Sequence, residues 1–211
     1  FLLNSASQVA HVRWVGPLLG FVNDDRIIQT LADLAKNPSR STRNGAIKGF
    51  HNSLRRGHLD DQTVLDAIRK DDELLERLRQ GLFDKEQEAA EASLAVLSRC
   101  QLPEFVPDIL NAVAGKPWEK TILQGCLSLG RQICDPLMQN LADARVEAKL
   151  LSLEVFKIFK VEDCRPLLKT FIEAGEQREA EASIEVLAEI SHRNDIRYLV
   201  ELLCRGDIDL R

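Results

Sequence analysis

Eight residues recur almost unchanged ninety positions apart: Ala90 to Leu97 reads AEASLAVL, and Ala180 to Leu187 reads AEASIEVL. A likeness at that separation marks one structural unit used more than once. Three further copies share its frame: RNGAIKGF from Arg43, LQGCLSLG from Leu123 and VEAKLLSL from Val146. The second residue of each box is polar (Asn44, Glu91, Gln124, Glu147, Glu181), the third small (Gly45, Ala92, Gly125, Ala148, Ala182) and the fifth Ile or Leu (Ile47, Leu94, Leu127, Leu150, Ile184). On a helix these offsets put solvent, close contact and core on different sides. The small residue lets a neighbouring backbone come near.

The boxes start at residues 43, 90, 123, 146 and 180, so the intervals are 47, 33, 23 and 34 residues. Self-similarity at such periods is the mark of stacked helical units. The stretches ahead of the later boxes also match: VPDILNAV, DPLMQNL and RPLLKTFI place Pro107, Pro136 and Pro166 before apolar runs. Proline suits a first helical turn, where its missing N–H costs nothing. Each unit therefore reads as a proline-started outer helix followed by an inner helix carrying the box. NDIRYLVELL (Asn194 to Leu203) reads as an outer helix without its partner.

The 47-residue interval carries added material, DDQTVLDAIRKDDELLERLRQGLF, whose Val64, Ile68, Leu75, Leu78 and Leu82 form an amphipathic stripe. It predicts one long helix or two short ones. The 23-residue interval leaves room for only a very short outer helix. Over residues 1–23, Gly16, Pro17 and Gly20 interrupt HVRWVGPLLGF, and Pro17 is expected to break or kink any helix containing it. This segment reads as a degenerate inner helix.

The proline-started first helix and small-residue second helix resemble the HEAT and HEAT-like (phycobilin-lyase type) helical repeats. The resemblance covers residues 24–211. It implies an all-α fold, a right-handed α–α superhelix (solenoid) of about five to six HEAT-like helix pairs. Tetratricopeptide and ankyrin patterns are missing, and nothing reads as a series of strands. The start at Phe1, with no leader pattern, reads as a piece of a longer protein whose last repeat is incomplete.

Composition narrows the function. A chain of 211 residues, 45% of them hydrophobic, can bury roughly 70% of its unfolded surface and needs neither metal nor disulfide to fold. No apolar run approaches the roughly 20 residues that cross a bilayer. Five scattered cysteines (Cys100, Cys126, Cys134, Cys164, Cys204) without CxxC spacing suit a reducing, cytoplasmic setting and a buried, apolar role. The net charge of −5 disfavours nucleic acid as the main partner.

The most uneven segment, NPSRSTRNGAIKGFHNSLRRGH, holds Arg40, Arg43, Lys48, Arg55 and Arg56 and no acid. It is either a binding surface for phosphates or an acidic partner, or a solvated face paired with the acids that follow, such as Asp60, Asp61, Asp71 and Asp72. Inner helices line the concave side of a solenoid. There Lys48, Ala95, Ser128, Leu151 and Glu185 are expected to face the groove, with charge running from basic near Lys48 to acidic near Glu181, Glu185 and Glu189. Trp118 opens an inner helix, either as an exposed anchor for a partner or as a cap on the core, and Trp14 shares that ambiguity. His11, His51, His58 and His192 have no metal-ligand spacing; His51 and His58 lack a third ligand. The acid pairs Asp24–Asp25, Asp60–Asp61 and Asp71–Asp72 read as helix caps.

No phosphate loop, dinucleotide turn, nucleophile elbow or HExxH helix occurs, so no cofactor is implied and an enzyme is disfavoured. The leading reading is a monomeric scaffold or adaptor that binds a protein or peptide through the concave face or the basic segment. The resemblance keeps rivals in view: a nucleic-acid-binding module or DNA glycosylase, a phycobilin lyase, and a lysine hydroxylase whose His-Glu pairs are missing here. A spacer between flanking domains is the remaining alternative.

Overall fold

The computed structural model describes residues 12–22, 24, 26–56, 60–190 and 193–205. Among them all regular structure is helical. The chain forms two compact units, Phe1–Ala112 and Val113–Arg211.

The first unit contains α1 (Val12–Leu19), α2 (Arg26–Ala35), α3 (Arg40–Arg56), α4 (Asp61–Arg69), α5 (Asp72–Gly81), α6 (Gln87–Cys100) and nearly all of α7 (Val106–Val113). Helix α3, which carries the first box, packs against α1, α2 and α6. The closest approach is between α1 and α3, where two glycine pairs four residues apart face each other. A Cβ on Gly16 would lie 2.5 Å from the Gly45 carbonyl carbon, and one on Gly49 would lie 2.5 Å from the Gly16 carbonyl oxygen. Gly20 meets the Gly49 carbonyl in the same way. Backbone thus touches backbone, and four residues along α1 match four along α3, so the two run parallel.

Helix α6 runs parallel to α3 as well. Asn44 near the start of α3 bonds Glu86 at the start of α6, and Arg99 near the end of α6 donates to the Leu54 carbonyl near the end of α3. Parallel inner helices separated by outer ones are what stacked repeat units require. The fold is all-α, of stacked helix pairs.

The added material forms two helices, because Asp71 caps the second: its side chain accepts from Leu74 N at 3.1 Å. Asp60 caps α4 through Thr63 N at 3.0 Å, and Asp24 accepts from Arg26 N at 3.0 Å. Asp25 lies outside the described residues. Pro17 sits inside α1, so of the expected break or kink the break does not occur. The helix ends two residues later, and Asn52 of α3 donates to the Pro17 carbonyl at 3.1 Å.

The second unit contains α8 (Glu119–Leu127), α9 (Cys134–Asn140), α10 (Val146–Phe159), α11 (Arg165–Ala174), α12 (Gln177–Glu189) and α13 (Arg193–Arg205). Helices α11 and α12 form a hairpin, and α12 also packs on α10. The 23-residue interval yields the seven-residue α9. Pro107, Pro136 and Pro166 fall at the second or third residue of α7, α9 and α11, each behind a short 3-10 turn, where their missing donors have no intrahelical acceptor. Between α10 and α12, Lys149 reaches the buried Glu179 carboxylate at 3.0 Å. Glu179 also closes a capping box with Glu176.

Two expectations for the boxes need correction. Asn44, at a polar second position, is buried, because its amide donates to Glu86 at 2.8 Å. The fifth position is core in the first two boxes (Ile47, Leu94) but only half-buried at Leu127, Leu150 and Ile184. In the fourth box Leu151 is buried instead.

Cys100, Cys126, Cys134 and Cys164 are free and buried; the side chain of Cys204 lies outside the described residues. Burial pushes the thiols of Cys100, Cys126 and Cys164 up to about 11. In a Cys204→Ser background at pH 8, a thiol reagent should therefore label the protein only at its unfolding rate; faster labelling of the folded protein would contradict this packing.

The glycines separate two effects. Gly49→Ala gains helix propensity but drives a methyl into backbone, and should lose about 1–3 kcal/mol net. Gly125→Ala on α8 meets nothing within 4 Å and should gain up to about 1 kcal/mol. Denaturant midpoints of the two variants read out these opposite signs.

Candidate functional site

The acid-free segment folds as α3, and two of its cations, Arg40 and Lys48, meet acids from beyond the expected ones. Arg40 forms a two-pronged contact with Asp84, at 3.0 and 2.5 Å. Lys48 reaches Glu86 at 2.5 Å and Glu88 at 2.7 Å. Arg43 donates to the Asn37 and Pro38 carbonyls at 3.2 and 2.7 Å, and Arg56 lies 4.5 Å over the Phe21 ring. Arg55 is exposed. The acids nearer in sequence are engaged elsewhere: Asp60 and Asp71 cap helices, Asp71 also pairs with Lys36, and Asp61 faces Arg99 at 3.5 Å. Because α6 stacks parallel to α3, its acidic N-terminal turn lies beside the basic start of α3.

Between α1, α3 and α6 lies an open cleft of about 670 Å³. One wall is apolar, with Trp14, Pro17 and the half-exposed Leu18 on α1. The floor is α3, from Asn44 and Gly45 through Lys48 and His51 to Arg55. The opposite wall is the start of α6, with Glu86, Glu88 and Glu91. Lys48 and Arg55 are the two candidate binding residues that line this cleft. Arg40, Arg43 and Arg56 do not line it, and Trp118 belongs to the second unit.

The electrostatics follow from these contacts. Burial opposes the charge on Lys48, but hydrogen bonds to Glu86 and Glu88 outweigh it and raise the ammonium above its ordinary range. His51 moves the other way: burial lowers it first, then the nearby Arg55 and Arg99. Both effects favour the neutral imidazole at the cleft floor. The Arg40 guanidinium holds the Asp84 carboxyl below the usual range.

The second unit has its own cleft, of about 680 Å³, between α10 and α12. Lys157 pairs with Glu185 at 2.9 Å and Lys160 with Glu189 at 3.0 Å across it. The expected acidic end of the groove is thus neutralised by lysines of the preceding inner helix, and Lys48 at the basic end is matched by Glu86 and Glu88. Of the positions expected to face the groove, Ser128 is exposed and Ala95 half-buried. Leu151 points into the core while Leu150 and Glu154 line the cleft, a register error of one residue. Trp118 caps the start of α8, half-buried, with Lys116 at 5.7 Å from its ring. Trp14 is 70% exposed.

Among the described residues no group of three or more His, Cys, Asp or Glu side chains could hold a metal ion, and no helix is long and apolar enough to cross a membrane. His11, His58 and His192 lie outside the described residues. The residues that sequence reasoning missed are Leu18, Glu86 and Glu88. The paired spacings Gly16–Gly20 and Gly45–Gly49 were the available signal, since they dock α1 on α3 and so form the apolar wall.

The sequence matches no family model, and no curated protein matches it. Among solved structures the chain is similar to a designed armadillo repeat protein, with 14% identity and a TM-score of 0.36 over 90% of this chain and 97% of that one.

Asp84 links fold stability to pH. Its folded value is depressed, so its stabilisation is complete above the unfolded value of about 4 and is lost as pH falls through the folded value. Asp84→Asn should cost about 1–2 kcal/mol at pH 7, since the carboxylate also accepts from Glu86 N at 2.7 Å. The variant should lose less than the wild type on going to pH 3. Urea midpoints at the two pH values check the sign.

Proposed function

We propose that the chain is a non-catalytic scaffold whose inner helices bind another polypeptide, with the cleft between α1, α3 and α6 as the contact site. In this reading residues 24–211 are a HEAT-like array and residues 1–23 supply its first, degenerate inner helix. The protein acts as a monomer in the cytoplasm, the compartment its scattered thiols suit.

One observation carries the proposal: an open trough in which exposed apolar side chains stand beside charges. Leu18 is 49% exposed and faces a floor of small and polar residues, a mixture typical of peptide grooves and poor for a buried reaction centre. Of the candidate residues, Lys48 and Arg55 are assigned to partner contact. Arg40, Arg43, Arg56 and Trp118 are left as secondary positions for an acidic partner segment.

The test is selection of binders from a random peptide library displayed on phage, with variants of matched helicity. Selected peptides should bind the wild type and weaken at least tenfold with Leu18→Asp, while Ile158→Asp in the other cleft leaves them unchanged. Peptides indifferent to Leu18→Asp, or no enrichment at all, would overturn this reading in favour of a spacer.

A further inference from the structure

The cleft is polarised along α3. At its first end, level with Asn44 and Lys48, stand Glu86 and Glu88 of α6. The Glu88 side chain is 81% exposed, so it can take a second cation while still holding Lys48. At the far end stands Arg55, with Arg99 close enough to depress His51 jointly with it. Arg99 is partly committed to the Leu54 carbonyl and Asp61; Arg55 has no ion pair among the described residues. Leu18 of α1 lines the same cleft and supplies its apolar wall.

The distances suit a chain more than a small ion. Lys48 and Arg55 are seven residues apart on one helix, about 10 Å at 1.5 Å per residue. An extended peptide covers that span in about three residues, at roughly 3.3 Å each. Successive side chains of such a peptide alternate in direction, so one can press on Leu18 while flanking residues reach the two ends.

We infer that the cleft takes a short extended peptide segment of mixed charge: a lysine or arginine at the Glu88 end, an aliphatic or aromatic residue against Leu18, and an aspartate or glutamate at Arg55. This rests on the polypeptide-binding reading above and names the partner's chemistry. A uniformly acidic segment would meet Glu86, Glu88 and Glu91, and a uniformly basic one would meet Lys48 and Arg55; each mismatch repels.

Fluorescence anisotropy tests this with four labelled nonapeptides that share a central leucine pair. One carries lysines before the leucines and glutamates after them, one is lysine on both sides, one glutamate on both, and one serine on both. The mixed peptide should bind at least tenfold more tightly than each of the others, and added salt should weaken it. Arg55→Glu should switch the preference to the all-lysine peptide, and Glu88→Lys to the all-glutamate peptide. Both side chains are exposed and away from the α1–α3 crossing, so circular dichroism should match the wild type. Binding of the mixed peptide that neither variant alters, binding favouring a uniformly charged peptide in the wild type, or no binding by any of the four would overturn the inference. Loss of binding with Leu18→Asp separates the two claims: a wrong charge preference that still needs Leu18 removes this partner chemistry and leaves the polypeptide site standing.

Discussion

The first unit depends on one contact, the crossing of Gly16 and Gly20 with Gly45 and Gly49. Helix α3 is the hub on which α1, α2 and α6 pack, and it can accept α1 at backbone distance only because neither helix has side chains there. Glycine inside a helix carries an entropic cost of roughly 1 kcal/mol relative to alanine. The offset is close contact over a full turn of both helices, beside which Leu19 of α1 is completely buried. Any side chain at this crossing would push the two helices apart.

Electrostatics then sets the register of the stacked helices. In the first unit Lys48 and Asn44 of one inner helix meet Glu86 and Glu88 at the start of the next. In the second, Lys149, Lys157 and Lys160 meet Glu179, Glu185 and Glu189 in order. Most of these pairs are partly exposed and individually weak. The Lys149–Glu179 pair differs, because the glutamate is buried and either side chain left alone would be an uncompensated charge. Basic residues on one inner helix and acidic residues on the next fix which turn lies beside which, a task that apolar packing alone leaves loosely specified.

Much of the helix pairing was legible because the repeat is written in residue types with distinct physical roles. A small third residue, a large fifth and a proline in the first turn of the outer helix each have a local cause, and the structure follows them at Gly45, Ile47 and Pro166. What was illegible depends on neighbours. Two inner helices, α6 and α10, end on left-handed residues at Gln101 and Lys160, with φ of 51° and 50°, where a sequence reading looks for glycine. The burial of Asn44 could not be read from its polarity, since it depends on Glu86 forty-two residues away. The acids that meet the basic segment were assigned by proximity in sequence, whereas the parallel stacking of α3 and α6 brings in Asp84, Glu86 and Glu88 from across the added helices. The candidate cleft was half legible for the same reason: its basic floor is contiguous in sequence, but its walls come from either side.

Gly45 joins the two levels. Its carbonyl lies against Gly16 of α1 in the crossing, and the same residue lines the cleft between α1, α3 and α6. The opening on the inner face is therefore a by-product of the contact that assembles the unit. Close packing of two backbones leaves no side chains between them, so the trough beside them persists wherever the crossing persists. A residue with both roles cannot separate fold from function when substituted. Leu18 and Arg55 can, because their side chains border the trough without entering the crossing.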